Sequence, residues 1–222
     1  TITADGTGVN PIGYYEFKGL TPGLDYQVQF TNPAGYDASS PRQSDGSATS
    51  GVNSDGVTSN VVVLAPGQFN QTIDAGYYNK ASLGDTVWVD TNGDGIQNNG
   101  EAGKEGVIVN LYACGAAITP ANILATDTTD NLGNYSFTGL LPGSYQVQFV
   151  LPNGYLFTQE LNTNVDDADA SGTDSDANSA GLTGCVELSS GENEVRVDAG
   201  LVQTASLGDT VWVDTNGDGI QN

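Results

Sequence analysis

The chain has no histidine, and only five of its 222 residues are Lys or Arg. Without an imidazole, Ser–His and Cys–His nucleophile pairs cannot be built, and any general base would have to be a carboxylate. The five basic residues stand against 27 acidic ones, for a formal charge of −22. Such a charge repels phosphate backbones and anionic bilayers, which excludes nucleic acid and membrane surfaces as partners. No apolar run reaches the length of a membrane-spanning helix. No signal peptide opens the sequence, as expected of a chain that begins after one. Cysteine is nearly absent too: Cys114 and Cys185 stand alone, neither in a CxxC pair. So few Lys and Arg residues leave few trypsin-like cleavage sites, and the expected compartment is extracellular.

Charged residues of either sign make up only 14% of the chain, and aromatics recur within alternating apolar stretches. That pattern disfavours disorder. Thirty glycines and eight prolines between short apolar runs fit many turns joining short strands. A compact chain this acidic needs neutralising cations, so divalent metal is implied before any motif is read.

A duplication sets the organisation. Residues 81–98 read ASLGDTVWVDTNGDGIQN, and residues 205–222 read the same, so the two copies start 124 residues apart. Residues 81–204 are therefore expected to be one complete unit. Residues 1–80 read as the back part of a preceding unit, because YYEFKGLTPGLDYQVQF (14–30) matches NYSFTGLLPGSYQVQF (134–149) and TIDAGYY (72–78) matches RVDAGLV (196–202). Residues 205–222 open the next unit, and the repeating pattern is expected to extend in both directions.

Within the complete unit the apolar period is two: Val107, Val109 and Leu111 share one face, as do Tyr145, Val147 and Phe149. Strands are expected over about 83–89, 107–113, 122–128, 134–138, 144–150, 183–189 and 193–201, all half-buried and antiparallel. The fold class is all-β, as tandem immunoglobulin-like β-sandwich repeats.

After the first strand comes DTNGDGIQNNGE, Asp90–Glu101, with oxygen ligands at the positions an EF-hand loop uses. Asp90, Asn92 and Asp94 take positions 1, 3 and 5, and Gly95 takes the sharp turn at position 6. Ile96 offers its carbonyl at position 7, Asn98 a water-mediated contact at position 9, and Glu101 a bidentate carboxylate at position 12. A metal-free Asp/Asn/Gly-rich hairpin turn is the alternative reading of these residues. The second copy supplies Asp214, Asn216, Asp218 and Ile220. A further acidic run, DDADASGTDSD, brings Asp166, Asp167, Asp169, Asp174 and Asp176 within eleven positions, where close approach needs a counter-ion. A mobile solvated loop is its bland alternative. The earlier unit has a thinner version in Asp45, Asn53 and Asp55, and Asp85 and Asp198 are read as extra ligands at strand ends. About two or three calcium ions per complete repeat would offset part of this charge.

LGDTVWVDTNGDGIQNNGEAGKEGVIVNLY (83–112) resembles the start of an SdrD-type B domain, of the wider collagen-adhesin B-type group. The likeness continues through NYSFTGLLPGSYQVQF, the Asp-rich stretch, CVELSSGEN and VDAGL. It implies a β-sandwich stiffened by several calcium ions, in a stalk projecting from a bacterial cell. Relatives in the wider group often carry a Lys–Asn or Lys–Asp isopeptide bond, but the complete unit's single lysine, Lys104, lies in a loop. A disulfide between Cys114 and Cys185 could take over that bracing, with two free thiols as the alternative; Val61 holds the Cys185-like position in the first unit.

The expected function is a non-catalytic, calcium-stabilised repeat of an extracellular stalk or filament, such as a biofilm fibre. Its partners would be neighbouring repeats or identical subunits. The alternative is an adhesive module binding a host protein or glycan through exposed Tyr77, Tyr78 and Tyr155.

Overall fold

The computed structural model describes residues 13–40, 54–159 and 173–221. Among them there is no α-helix, only one 3-10 turn at Pro120–Asn122. The chain divides into two units, Thr1–Tyr78 and Asn79–Asn222.

The first unit carries four two-residue strands: β1 (Asp25–Tyr26), β2 (Ala38–Ser39), β3 (Val62–Val63) and β4 (Tyr77–Tyr78). They pair antiparallel as β1–β3 and β2–β4.

The second unit carries β5 (Ala81–Val89), β6 (Ile108–Ala113), β7 (Ala125–Thr128), β8 (Asn134–Leu140), β9 (Gly143–Phe149), β10 (Tyr155–Phe157), β11 (Leu182–Leu188), β12 (Asn193–Glu194) and β13 (Ala199–Gln203). One sheet is ordered β11-β9-β6-β7; in the other, β5 is the hub, flanked by β8, β12 and β13, with β10 outside β13. The alternating positions of facing strands meet between the sheets. Leu83 and Val87 from β5, Tyr135 and Phe137 from β8, and Val197 and Leu201 lie opposite Val109, Leu111, Val147, Phe149 and Val186, all buried in one cluster. Period-two patterning is what lets each strand give one face to this core.

The structure departs from the sequence expectations in three places. First, β5 runs parallel to β12 and β13 rather than antiparallel. Parallel neighbours need a long connection, and here most of the unit lies between them. Second, the expected strand 193–201 is broken, because side chains take over the ladder. The Asp198 carboxylate accepts the Thr86 N–H (3.0 Å), Asp198 gives its own N–H to the Asp176 carboxylate (2.7 Å), and the Val197 carbonyl accepts the Tyr135 hydroxyl (2.7 Å). Third, Tyr155–Phe157 forms a strand on β13 where the alternation predicts none, since three residues are too few to show a period.

Cys114 and Cys185 are joined, with Cα atoms 5.5 Å apart. Cys185 sits in β11 and Cys114 just beyond β6, so the bridge ties together the two strands that flank β9.

Candidate metal centre

Asp90 leaves β5 at the sheet's rim, almost fully buried, and its carboxylate nucleates the loop. Oδ1 accepts the Gly93 N–H (2.6 Å), and Oδ2 accepts the Gly95 N–H (2.8 Å) and the Thr158 hydroxyl (2.5 Å). Gly95 holds φ = +79°, the left-handed turn that glycine adopts without a Cβ penalty. Asp94 lies at the centre of the loop: its carboxylate accepts the Ile96 N–H (2.9 Å) and the side-chain amides of Asn92 (2.8 Å) and Asn98 (2.9 Å). Those bonds, led by the Ile96 N–H, hold its pKa below the ordinary carboxylate range. The Asn98 amide also reaches the Ile96 carbonyl (3.1 Å). Four of the six expected ligand positions, Asn92, Asp94, Ile96 and Asn98, are thus linked through Asp94, while Asp90 bonds to Gly93, Gly95 and Thr158 instead. Glu101 is placed otherwise, accepting the backbone N–H groups of Thr91 (2.7 Å) and Asn98 (2.9 Å) and so closing the loop's two ends.

The second copy folds the same way without a sandwich around it. Asp214 accepts the N–H groups of Gly217 (2.7 Å) and Gly219 (2.7 Å), Asn216 donates to Asp218 (2.8 Å), and Ile220 N–H reaches Asp218 (2.8 Å). These side chains are exposed, so the conformation is encoded locally, by Asx turns and glycines.

The structure also brings part of the second acidic run to the first loop. Ile96 bridges to Asp174, Ser175 N–H donates to the Gly95 carbonyl (3.0 Å), and Gln97 N–H to the Thr173 carbonyl (2.6 Å). Asp176, buried, then leads to Asp198 and Asp85. Asp85 stands mid-strand opposite Tyr135 rather than at a strand end, because β5 begins at Ala81. Burial first, and then the charge of Asp85, push the Asp198 carboxyl well above its ordinary pKa. Asp85 is also raised, by burial, against the pull of Thr86 and Asp198. Asp198 Oδ2 is buried with no donor in reach while both acids are ionised. Carboxylates so placed need a proton or a cation between them. Glu194, also buried, is matched by the Arg196 guanidinium at 2.7 Å. Asp166, Asp167, Asp169, Asp45 and Asn53 lie outside the described residues. Asp55 is described, and its carboxylate accepts the Asp74 N–H (3.0 Å).

Among the described residues no three carboxylate or thiol groups gather tightly enough to hold an ion alone. The loop's polar set is instead mixed, with the Asn92 and Asn98 side-chain amides and the Ile96 carbonyl gathered around Asp94. An all-oxygen set with flexible amides suits a hard divalent cation. Thr158 and Ser175, which fix Asp90 and Gly95, were not legible in advance: they lie far along the chain and carry no metal-ligand pattern. Tyr77, Tyr78 and Tyr155, expected to be exposed, are half-buried; Tyr155 packs on the core, with Lys104 Nζ 5.3 Å from its ring centre.

The chain matches the family described as SdrD B-like domain over residues 1–77 and 81–201. It is similar to Serine-aspartate repeat-containing protein D of Staphylococcus aureus (strain MW2), at 38% identity over 213 residues, covering 95% of this chain and 14% of that protein. Bone sialoprotein-binding protein of Staphylococcus aureus (strain MRSA252) is 38% identical over 214 residues, 95% of this chain and 17% of that protein. The chain thus spans a small part of these relatives. Among solved structures, the minor pilin GBS52 of Streptococcus agalactiae aligns with a TM-score of 0.38 at 12% identity, covering 68% of this chain and 62% of that one. The shaft pilin SpaA of Lactobacillus rhamnosus GG aligns at 0.36 and 12%, covering 57% and 52%.

Proposed function

The chain belongs to the SdrD B-like domain family, and on that premise we propose that it is a calcium-stabilised, non-catalytic repeat of an extracellular bacterial stalk or filament. The observation that carries the calcium reading is the loop 90–101. Asn92, Asp94, Asn98 and the Ile96 carbonyl are joined there through Asp94, with Asp90 anchoring the turn through Gly93 and Gly95, and the same Asp–Gly and Asn–Asp bonds recur at 214–220. In the structure, amide N–H groups of Asn92 and Asn98 supply the positive pole facing Asp94. A calcium ion would replace them, and each amide would turn its oxygen inward. Glu101 would supply the outer carboxylate, and Asp174, Asp176, Asp85 and Asp198 the further acidic region beside it.

The array reading rests on the repeat. Units that recur along a chain give a one-dimensional element whose rigidity depends on each unit and its junctions. Its partners are then neighbouring repeats or identical subunits, at a cell surface or in a secreted matrix.

Glu101 provides the test of the ligand set. Glu101→Ala is expected to weaken one calcium site by about tenfold or more, since affinity follows ligand charge and site rigidity. Glu101→Gln removes the charge and keeps an acceptor for only one of the Thr91 and Asn98 N–H groups, since each now bonds to its own carboxylate oxygen, so it should weaken binding and lower the metal-free melt slightly. Equal ion stoichiometry and affinity in isothermal titration of all three proteins would contradict the assignment.

The second reading is an adhesive module. One relative bears the name of a protein that binds bone sialoprotein. Saturable binding of this chain to an immobilised host protein or glycan, retained by Glu101→Ala, would favour it.

A further inference from the structure

Five residues from four separate stretches of the second unit close a ring of hydrogen bonds at the start of the loop. Asp90 Oδ2 accepts the Gly95 N–H (2.8 Å), and the Gly95 carbonyl accepts the Ser175 N–H (3.0 Å). The Ser175 hydroxyl accepts the Gly200 N–H (3.1 Å), and the Gly200 carbonyl accepts the Thr158 N–H (3.0 Å). The Thr158 hydroxyl then donates to Asp90 Oδ2 at 2.5 Å and completes the ring. Asp90 is 1% exposed, Thr158 6% and Ser175 0%, and both glycines are buried, so water does not compete for these bonds.

The ring decides how the Asp90 carboxylate is turned. Each carboxylate oxygen can accept about two hydrogen bonds. Oδ2 holds two donors, Gly95 and Thr158, whereas Oδ1 accepts the Gly93 N–H (2.6 Å) alone among the described residues. Oδ1 is therefore the oxygen left for a cation. Thr158 itself has little freedom. Its methyl lies over Gly200, where a Cβ would strike it and come within 2.9 Å of the Trp88 ring. The stiff χ1 of a β-branched residue then keeps the hydroxyl on Asp90. Part of the ring recurs in the first unit. There Ser40 gives its N–H to the Gly76 carbonyl (2.8 Å), and Gly76 gives its N–H to the Ser54 hydroxyl (3.3 Å). Hydroxyl residues thus stand at both positions in both units, with serine where the second unit has Thr158.

We propose that Thr158 is a positioning residue for the calcium site, supported by Ser175, and that the ring holds Asp90 in its ligating orientation before an ion arrives. Neither hydroxyl is a ligand. A loop that must first order its ligands binds more weakly than one whose ligands are already held, because affinity follows site rigidity as well as charge. Asp90 is the first ligand of the loop and the one most deeply buried, so its orientation sets where the others must meet. The end of β10 and the strand β13, which carry Thr158 and Gly200, become part of the site without contributing a ligand. Ser175 also joins the loop to the stretch that carries Asp174 and Asp176. This role rests on the calcium reading of residues 90–101.

Two substitutions at one position separate the hydroxyl from the packing. Thr158→Val keeps the methyl over Gly200 and removes the hydroxyl, whereas Thr158→Ser keeps the hydroxyl. Isothermal calcium titration of the full chain should show one site weakened about tenfold in Thr158→Val. Thr158→Ser should stay within about threefold of the original, and Ser175→Ala, which opens the ring away from Asp90, should fall between the two. A second readout needs no ion. In EGTA, amide exchange at Gly93 and Gly95 should quicken in Thr158→Val relative to the amides of β6 and β9, and recover in Thr158→Ser. A hydroxyl that merely stabilised the fold would quicken exchange throughout and leave the affinity of the folded chain unchanged. That result overturns the role, as does a Thr158→Ser chain that binds as weakly as Thr158→Val. Should Thr158→Val fail to fold, unchanged affinity and unchanged Gly95 exchange in Ser175→Ala overturn it instead. An original chain that binds no calcium overturns the calcium reading together with this role. Calcium bound equally well by the original and by Thr158→Val overturns this role alone.

Discussion

Transfer of the full chain from calcium into EGTA is expected to lower the melting temperature of the second unit by about 10–20 °C. The size follows from linkage. A ligand at a thousandfold excess over its dissociation constant stabilises the folded state by about 4 kcal/mol per site. For a unit of this size each kcal/mol moves the midpoint by roughly 4 °C. That free energy would act on the buried acidic region. Asp198 is buried beside Asp85 and next to Asp176, and in the absence of a cation their ionised forms oppose one another in a place water cannot screen. A cation nearby would relieve that repulsion. Scanning calorimetry in calcium, in magnesium and in EGTA is the measurement. Magnesium should restore little of the loss, because it demands a tighter octahedral shell than a loop with flexible Asn amides provides. A melt indifferent to EGTA would remove calcium from the description of this chain.

The sequence made the β class and the repeat legible because both are carried by periodicities, of two residues and of 124, that need no tertiary information. The turn at 90–95 was legible for a related reason: its conformation is local. Asp90 and Asp214 make the same N–H contacts in a packed and in an exposed setting. What depends on distant residues was not legible. Thr158 holds Asp90 through its hydroxyl and Ser175 holds Gly95 through its backbone N–H, and neither a lone hydroxyl nor a backbone group carries a sequence pattern. The break between β12 and β13 arises from Asp176 and Asp198 substituting for backbone partners, which alternation cannot foretell. The half-burial of Tyr77, Tyr78 and Tyr155 is likewise a product of sheet pairing. Asp85 was drawn into the acidic region by its composition, yet its position opposite Tyr135 follows from the β5–β8 register alone.

Removing the disulfide is the second large effect expected. Cys114 and Cys185 close a span of 71 residues. In the chain-entropy model a loop of that length contributes about 4 kcal/mol by restricting the unfolded state. The double variant Cys114→Ala, Cys185→Ala should thus lower the melting temperature of the second unit by roughly 15 °C. The position makes the full amount reasonable. Cys185 lies in β11 and Cys114 just beyond β6, on opposite flanks of β9, whose Val147 and Phe149 are core residues. The bridge therefore ties the edge strand β11 to the end of interior strand β6 across β9, rather than tethering a loose end. The first unit is an internal control, because Val61 stands at the Cys185-like position and its transition should not respond to reductant. Calcium removal and disulfide removal act on different groups, one on the carboxylates around β5 and β13, the other on the opposite sheet. Their effects should accordingly add to within about 0.5 kcal/mol. A chain lacking the cysteines that melts unchanged, or one whose loss vanishes in EGTA, would show that the bridge does not stabilise the fold on its own.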